Sequence, residues 1–147
     1  MTSGDILFLC SGNYYRSRHA EIYFNWLAAR ESASVTAISR GLALSDVNVG
    51  AISQHTLERL RELGIECPTC TRLPLWLSEE DLSAARHVIA LKTAEHQPML
   101  AARFPTWLSR VEFWDIDDLD CAGPATALPQ IEQAVAGLFE RVRGLAA

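Results

Sequence analysis

Residues 5–17 read DILFLCSGNYYRS. The first six are short, continuous and apolar, the pattern of a strand buried on both faces. Gly12 and Asn13 follow, two residue types that tolerate a positive φ. From about 17 to 30, Ala20, Tyr23, Phe24 and Leu27 recur at helical spacing. A strand that turns directly into a helix gathers loop N–H groups and the positive helix end around one point. Five residues separate Cys10 from Arg16. That spacing lets the loop curl around an anion, with Arg16 closing the ring by a bidentate grip on two oxygens. Cys10 then faces the bound anion in a field that favours the thiolate, and Ser17 can donate a hydrogen bond to the sulfur. A lone cysteine ending a buried strand is ordinarily a small core residue. Gly12, Asn13, Arg16 and Ser17 around it turn the reading toward catalysis. No acidic residue lies in the loop, so Arg16 is expected to want an anion from outside.

Working outward, the rest of the chain alternates. Residues 35–39 (VTAIS) read as a second strand ending near Gly41, and 42–50 as a loop. Residues 53–63 (SQHTLERLREL) form an amphipathic helix stopped by Gly64. Residues 65–77, with two prolines, read as loop, and Ser78 caps a short helix with Asp81 three residues on. Residues 87–91 (HVIAL) are a third apolar strand, and 93–103 a helix in which Pro98 predicts a break. Residues 111–114 are a fourth strand, 115–123 an acidic loop, and 128–142 a last helix with Ile131, Val135, Leu138 and Val142 on one face. Four strand–helix units imply an α/β fold with a parallel sheet, helices on both faces and right-handed crossovers. Ligands bind such sheets beyond the carboxyl ends of the strands, where Cys10 sits.

The chain has 147 residues and a net charge of −5. Its length fits one domain over 1–147 and buries roughly two-thirds of the unfolded surface. The negative balance argues against nucleic acid as a partner, which needs a basic face. The N-terminal segment has no basic leader pattern and no apolar run is long enough to span a bilayer, so the expectation is a cytoplasmic protein without a membrane partner. Four cysteines are too few and too scattered for a disulfide scaffold.

The segment ILFLCSGNYYRSRHAE resembles the N-terminus of low-molecular-weight protein tyrosine phosphatases and of the related thioredoxin-coupled arsenate reductases. Their motif is C-x-G-N-x-x-R-S followed by a helix with A-E; Cys10, Gly12, Asn13, Arg16, Ser17, Ala20 and Glu21 match it. The resemblance implies a three-layer α/β/α domain with a four-stranded parallel sheet. It also implies hydrolysis of a phosphate monoester, on a phosphorylated protein or a small ester, through a phosphocysteine on Cys10. Ser11, Gly12, Asn13, Tyr14, Tyr15 and Ser17 would form the substrate loop, with Asn13 locking it by hydrogen bonds that include one to Ser39. Ser39-Arg40-Gly41 is similar to the family's S-A-G segment. Two positions depart from the pattern. Arg18 replaces the usual Pro, and Tyr15 stands where many eukaryotic members carry a second loop cysteine, so that redox protection should be absent.

Expelling an alkoxide or phenoxide needs an acid, worth about 10²–10⁴-fold. Residues 114–120 (WDIDDLD) supply Asp115, Asp117, Asp118 and Asp120. By likeness to W-x-x-D-D-P of the arsenate reductases, Asp118 takes the acid's place and Leu119 replaces Pro; Asp117 is second choice. The loop and Arg16 supply the positive field, so the expected mechanism uses no metal and no cofactor.

Cys67 and Cys70 form a C-x-x-C with nothing to complete a zinc site. They read as a surface loop pair, with a redox pair as the lesser alternative; arsenate reduction by the same anion loop, which such a pair would serve, and a non-catalytic phosphate-binding domain are the alternatives to hydrolysis. Tyr14 and Tyr15 can wall a cleft for an aromatic leaving group, whereas Trp26 reads as packing. Arg18, His19 and Arg40 suggest a basic rim for acidic substrates. His87 and His96 have no partner at a recognisable spacing.

Overall fold

A computed structural model describes residues 5–119 and 122–143. Asp120, one of the candidate acids, lies outside the described residues. Four strands, β1 (Ile6–Cys10), β2 (Ala37–Gly41), β3 (His87–Ala90) and β4 (Val111–Phe113), make one parallel sheet in the order β2-β1-β3-β4. The helices are α1 (Arg16–Arg30), α2 (Gln54–Leu63), α3 (Glu79–Ala84), α4 (Thr93–Arg103) and α5 (Pro124–Val142). The expected α/β architecture is present.

β1 is buried along its whole length because it is central and covered on both faces. Its side chains alternate between two cores, as strand geometry requires. Ile6, Phe8 and Cys10 pack with Phe24 of α1 and Val135, Leu138 and Phe139 of α5. Leu7 and Leu9 face Leu82 of α3 and Leu100 of α4. A third apolar group, Ile22, Ile52, Leu60 and Ile65, seats α2 against α1.

Several boundaries differ from the sequence expectation. β2 begins at Ala37 rather than 35, because its pairing starts where β1 starts, with Ile6 opposite Ala37. α4 runs through Pro98 without a break; His96 and Leu100, both buried on its inner face, hold the helix across the missing N–H. α5 starts four residues before 128, at Pro124, whose fixed φ suits a first helical position. A 3₁₀ turn, Pro105–Arg110, was not anticipated. The Ser78–Asp81 capping box forms as the sequence suggests. Cys67 and Cys70 are joined by a disulfide in the loop after α2.

Candidate active site

The loop after β1 is built on its neighbours' backbones. Leu42 N–H donates to the Cys10 carbonyl and Ala43 N–H to that of Ser11, both at 2.9 Å. Gly41 permits this approach: a Cβ there would stand 2.8 Å from Ser11 O. Asn13 carries the turn, with φ 50°. Gly12 does not have a positive φ, contrary to expectation. Its smallness serves space instead, since a Cβ would meet the Asn48 amide at 3.0 Å.

The Asn13 side chain is wholly buried and bonded at both ends. Nδ2 donates to Ser17 Oγ and to Ser39 Oγ, each at 2.9 Å. Oδ1 accepts from Leu75 N–H and from Arg72, each at 3.1 Å. Arg72 also reaches Ser39 and Glu21, and Ser39 donates to Glu21. Because Ser17 Oγ accepts from Asn13, its own hydrogen is free to point elsewhere. Cys10 Sγ is 2.9 Å away, the partner that a thiolate needs.

Arg16 is buried and its guanidinium is already gripped by a carboxylate. Nη2–Oε1 and Nη1–Oε2 to Glu95 are 2.8 and 3.1 Å, and Nη1 also donates to the Ile116 carbonyl at 3.0 Å. The expectation that Arg16 lacks an internal anion is thus corrected: its partner comes from α4, on the far side of the sheet's carboxyl edge. Nη2 lies 3.4 Å from Asp118 Oδ2. Its Nε–H has no hydrogen-bond partner among the described residues. That donor is left unused by Glu95, Ile116 and Asp118. Burial pushes the Glu95 carboxyl up, but hydrogen bonds and charge from Arg16 outweigh it and hold it below the ordinary value. Ser11 turns its hydroxyl away from the loop's mouth, to Glu95 at 3.3 Å and His96 Nε2 at 3.2 Å. His96 Nδ1 accepts from the Lys92 N–H, so Nε2 carries the proton. Burial, then the Arg16 charge, pushes the His96 imidazolium down to about 4, which keeps the ring neutral.

Cys10, Gly12, Tyr14, Tyr15, Arg16, Asn48, Asp118 and Leu119 line one cavity of about 210 Å³. Asp115 and Asp117 do not; Asp117 is ion-paired to Lys92 at 2.6 Å, and Asp115 accepts from Thr93 N–H. Tyr14 stands on the wall, its hydroxyl bonded to the Val49 carbonyl. Tyr15 is buried, and burial together with the Asp118 charge raises its phenol to about 12. Cys10, an anion cradle and a carboxylate on one cavity are the parts of a cysteine-based phosphoryl transfer site.

A family model for low molecular weight phosphotyrosine protein phosphatase matches residues 5–144. The chain belongs to that family. It is a phosphatase of the low molecular weight type. The protein-arginine-phosphatase of Bacillus subtilis is 33% identical over 107 residues, covering 73% of this chain and 67% of that one. A mutant of YwlE from Bacillus subtilis superposes with a TM-score of 0.79 at 26% identity, over 95% of this chain and 99% of that one. A low molecular weight protein tyrosine phosphatase from the same organism gives 0.75 at 25% identity, over 95% and 97%.

Several residues around this loop have no signal in the sequence. Glu95 and Asn48 lie far along the chain from the loop they touch, and neither sits in a motif. The basic rim is also corrected. Arg18 and His19 are wholly buried, and Arg40 is mostly buried and paired with Asp81. Arg18 donates to the carbonyls of Ala51, Thr69 and Arg72, and His19 meets Glu132 at 2.9 Å. Such groups hold loops together rather than face solvent.

Proposed function

We propose that this phosphatase hydrolyses phosphotyrosine on proteins through a phosphocysteine on Cys10. The observation that carries the reading is the single cavity shared by Cys10, Arg16 and Asp118, with the Ser17 hydroxyl on the sulfur. The Cys10 thiolate attacks phosphorus in line, forming the S–P bond as the P–O bond to the leaving group breaks. Arg16 and the loop amides of 11–17 hold the equatorial oxygens. Asp118 gives its proton to the departing oxygen. The Asp118 carboxylate then takes a proton from water as that water attacks phosphorus, and the Cys10 thiolate leaves with Ser17 on it. Asn13 and Ser39 keep the loop in shape.

Tyr14, Tyr15 and Leu119 on the cavity wall suit an aromatic leaving group. A second reading, phosphoarginine on proteins, is favoured by the likeness to the arginine phosphatase. Its leaving group is a cationic guanidine, for which Asp118 is a partner of opposite charge. No helix among the described residues is long and apolar enough to cross a membrane.

The test is turnover of an aryl phosphate by wild type and by Cys10→Ser, then of peptides bearing phosphotyrosine or phosphoarginine. Cys10→Ser should lose essentially all activity; retained activity would end the proposal. Preference for phosphoarginine by more than tenfold in kcat/KM would replace the tyrosine assignment.

A further inference from the structure

The C-x-x-C pair has no place in the reaction above. Neither Cys67 nor Cys70 lines the cavity that holds Cys10. The pair closes a turn after α2, with Pro68 and Thr69 exposed and both cysteines half-buried against the cluster of Ile22, Leu60 and Ile65. Their Cα atoms are 5.4 Å apart.

The turn they close is wired to the phosphate loop by two arginines. Arg18, one residue past Ser17, buries its guanidinium completely; Nη1 and Nη2 donate only to backbone carbonyls, while Nε lies 3.9 Å from the Glu21 carboxylate with no hydrogen-bond partner. Of its three carbonyl partners, Thr69 at 2.6 Å lies inside the disulfide ring and Arg72 at 2.9 Å lies two residues beyond it; the third is Ala51 at 3.3 Å. A buried cation held this way loses heavily when a carbonyl moves away. Arg72 returns the connection, its side chain reaching Asn13, Ser39 and Glu21. The backbone of 67–72 itself has few ties: Cys70 N–H to the Cys67 carbonyl at 3.4 Å and Arg72 N–H to Thr69 at 3.1 Å. The disulfide is therefore the covalent restraint on the carbonyls that Arg18 needs.

We propose that Cys67–Cys70 is a reversible thiol–disulfide site whose state sets how tightly the phosphate loop holds its anion. The inference rests on the loop being the anion site of the proposed function. The reductant is a dithiol of the dithiothreitol or thioredoxin type. Its thiolate attacks one sulfur of the pair, the other leaves as a thiolate and takes a proton, and the second reductant thiol resolves the mixed disulfide. The protein gains two electrons and two protons, and the reductant becomes a disulfide. Reduction releases the 67–70 turn, Thr69 and Arg72 drift from Arg18, and the first turn of α1 with Asn13 loosens.

The measurement is orthophosphate binding by calorimetry to Cys10→Ser, before and after dithiothreitol, with thiols counted in the same samples. Reduction should add two thiols and weaken phosphate by about threefold to tenfold. The variant Cys10→Ser/Cys67→Ser/Cys70→Ser should bind like the reduced protein and ignore dithiothreitol. Equal affinity in the two states, a failure to gain two thiols, or a response that survives in the triple variant would overturn the proposal. The comparison of oxidised with reduced Cys10→Ser needs no change at the pair, so a folding defect in the triple variant cannot decide it. Redox-dependent phosphate binding in a protein whose wild type turns over no phosphate ester would remove the catalytic reading and leave this one standing.

Discussion

Glu95 holds Arg16 by two hydrogen bonds, at 2.8 and 3.1 Å, across 79 residues of sequence. The pairing fixes the plane of the guanidinium and leaves Nε–H for the proposed anion. It also sets an opposing charge beside the cation proposed to bind phosphate. These two effects act on different steps. Orientation matters most in the transition state, where oxygen positions are strictest, while the opposing charge weakens ground-state binding too. Glu95→Ala should therefore lower kcat on an aryl phosphate by about tenfold to a hundredfold, with KM moving much less. Steady-state kinetics over a range of substrate concentrations would check it. A kcat equal to wild type would show that Arg16 needs no such hold.

Asp118 and Asp117 are neighbours with different surroundings. Asp118 is on the cavity with Cys10, and Asp117 is tied to Lys92. For an alkyl or phenyl phosphate, whose leaving group needs a proton, Asp118→Ala should lose about 10²–10⁴-fold in kcat. For a nitrophenyl phosphate, whose leaving group is a weak base, the loss in phosphorylation of Cys10 should be far smaller. Asp117→Ala should stay within a few-fold of wild type on both. The diagnostic measurement is the dependence of rate on leaving-group basicity. The same steepening in Asp117→Ala and not in Asp118→Ala would move the acid by one residue.

Ser17 is positioned to serve the sulfur when it leaves. Its oxygen accepts from Asn13, so its hydrogen is available to Cys10 at 2.9 Å. A hydrogen bond to a charged group is worth about 1.5–3 kcal/mol, so Ser17→Ala should slow thiolate expulsion by about tenfold to a hundredfold. Phosphocysteine should accumulate, visible as a burst of released phenol followed by slow turnover. A linear time course at reduced rate, without a burst, would place the loss in the first step instead.

The parts of the site that could be read from the chain are the local ones. Residues 10–17 carry their chemistry in one segment, because a strand ending in a loop and a helix N-terminus is a short-range arrangement. Asp118 was singled out among the carboxylates after β4 by likeness to W-x-x-D-D-P; in the fold it lines the cavity with Cys10, while Asp117 pairs with Lys92. Glu95 and His96 were not legible. They reach the loop because β3 lies beside β1, so that α4 starts next to Ser11 and Arg16; no spacing along the chain encodes that. The same holds for Arg18, which looks like a solvent-facing charge in the sequence. Its burial follows from where the 67–72 turn lands on α1. The alternation of strands and helices, by contrast, follows from apolar periodicity alone, and it placed Cys10 at the carboxyl edge correctly.

Acid stability should report the buried ring beside the site. His96 is held neutral by burial and by the Arg16 charge, with its imidazolium pushed from 6.5 down to about 4. The unfolded chain takes up a proton near the ordinary value and the folded chain resists until about 4. Between these, the unfolded state binds more protons, so stability rises with pH and is lost on acidification. Glu132 adds a second loss at lower pH. Burial raises its carboxyl, but the hydrogen bonds of Arg59 and His19 prevail and lower it from 4.5 to about 2. Its contribution is present above 4.5 and fades as pH falls toward 2. Denaturant midpoints should thus fall steadily from pH 7 to 4 and further below it. His96→Gln, which cannot titrate, should flatten the segment between 6.5 and 4 while leaving the decline below 4.5, whatever it does to stability at neutral pH. An unchanged slope between 6.5 and 4 in that variant would mean that His96 is protonated in the folded protein at an ordinary pH.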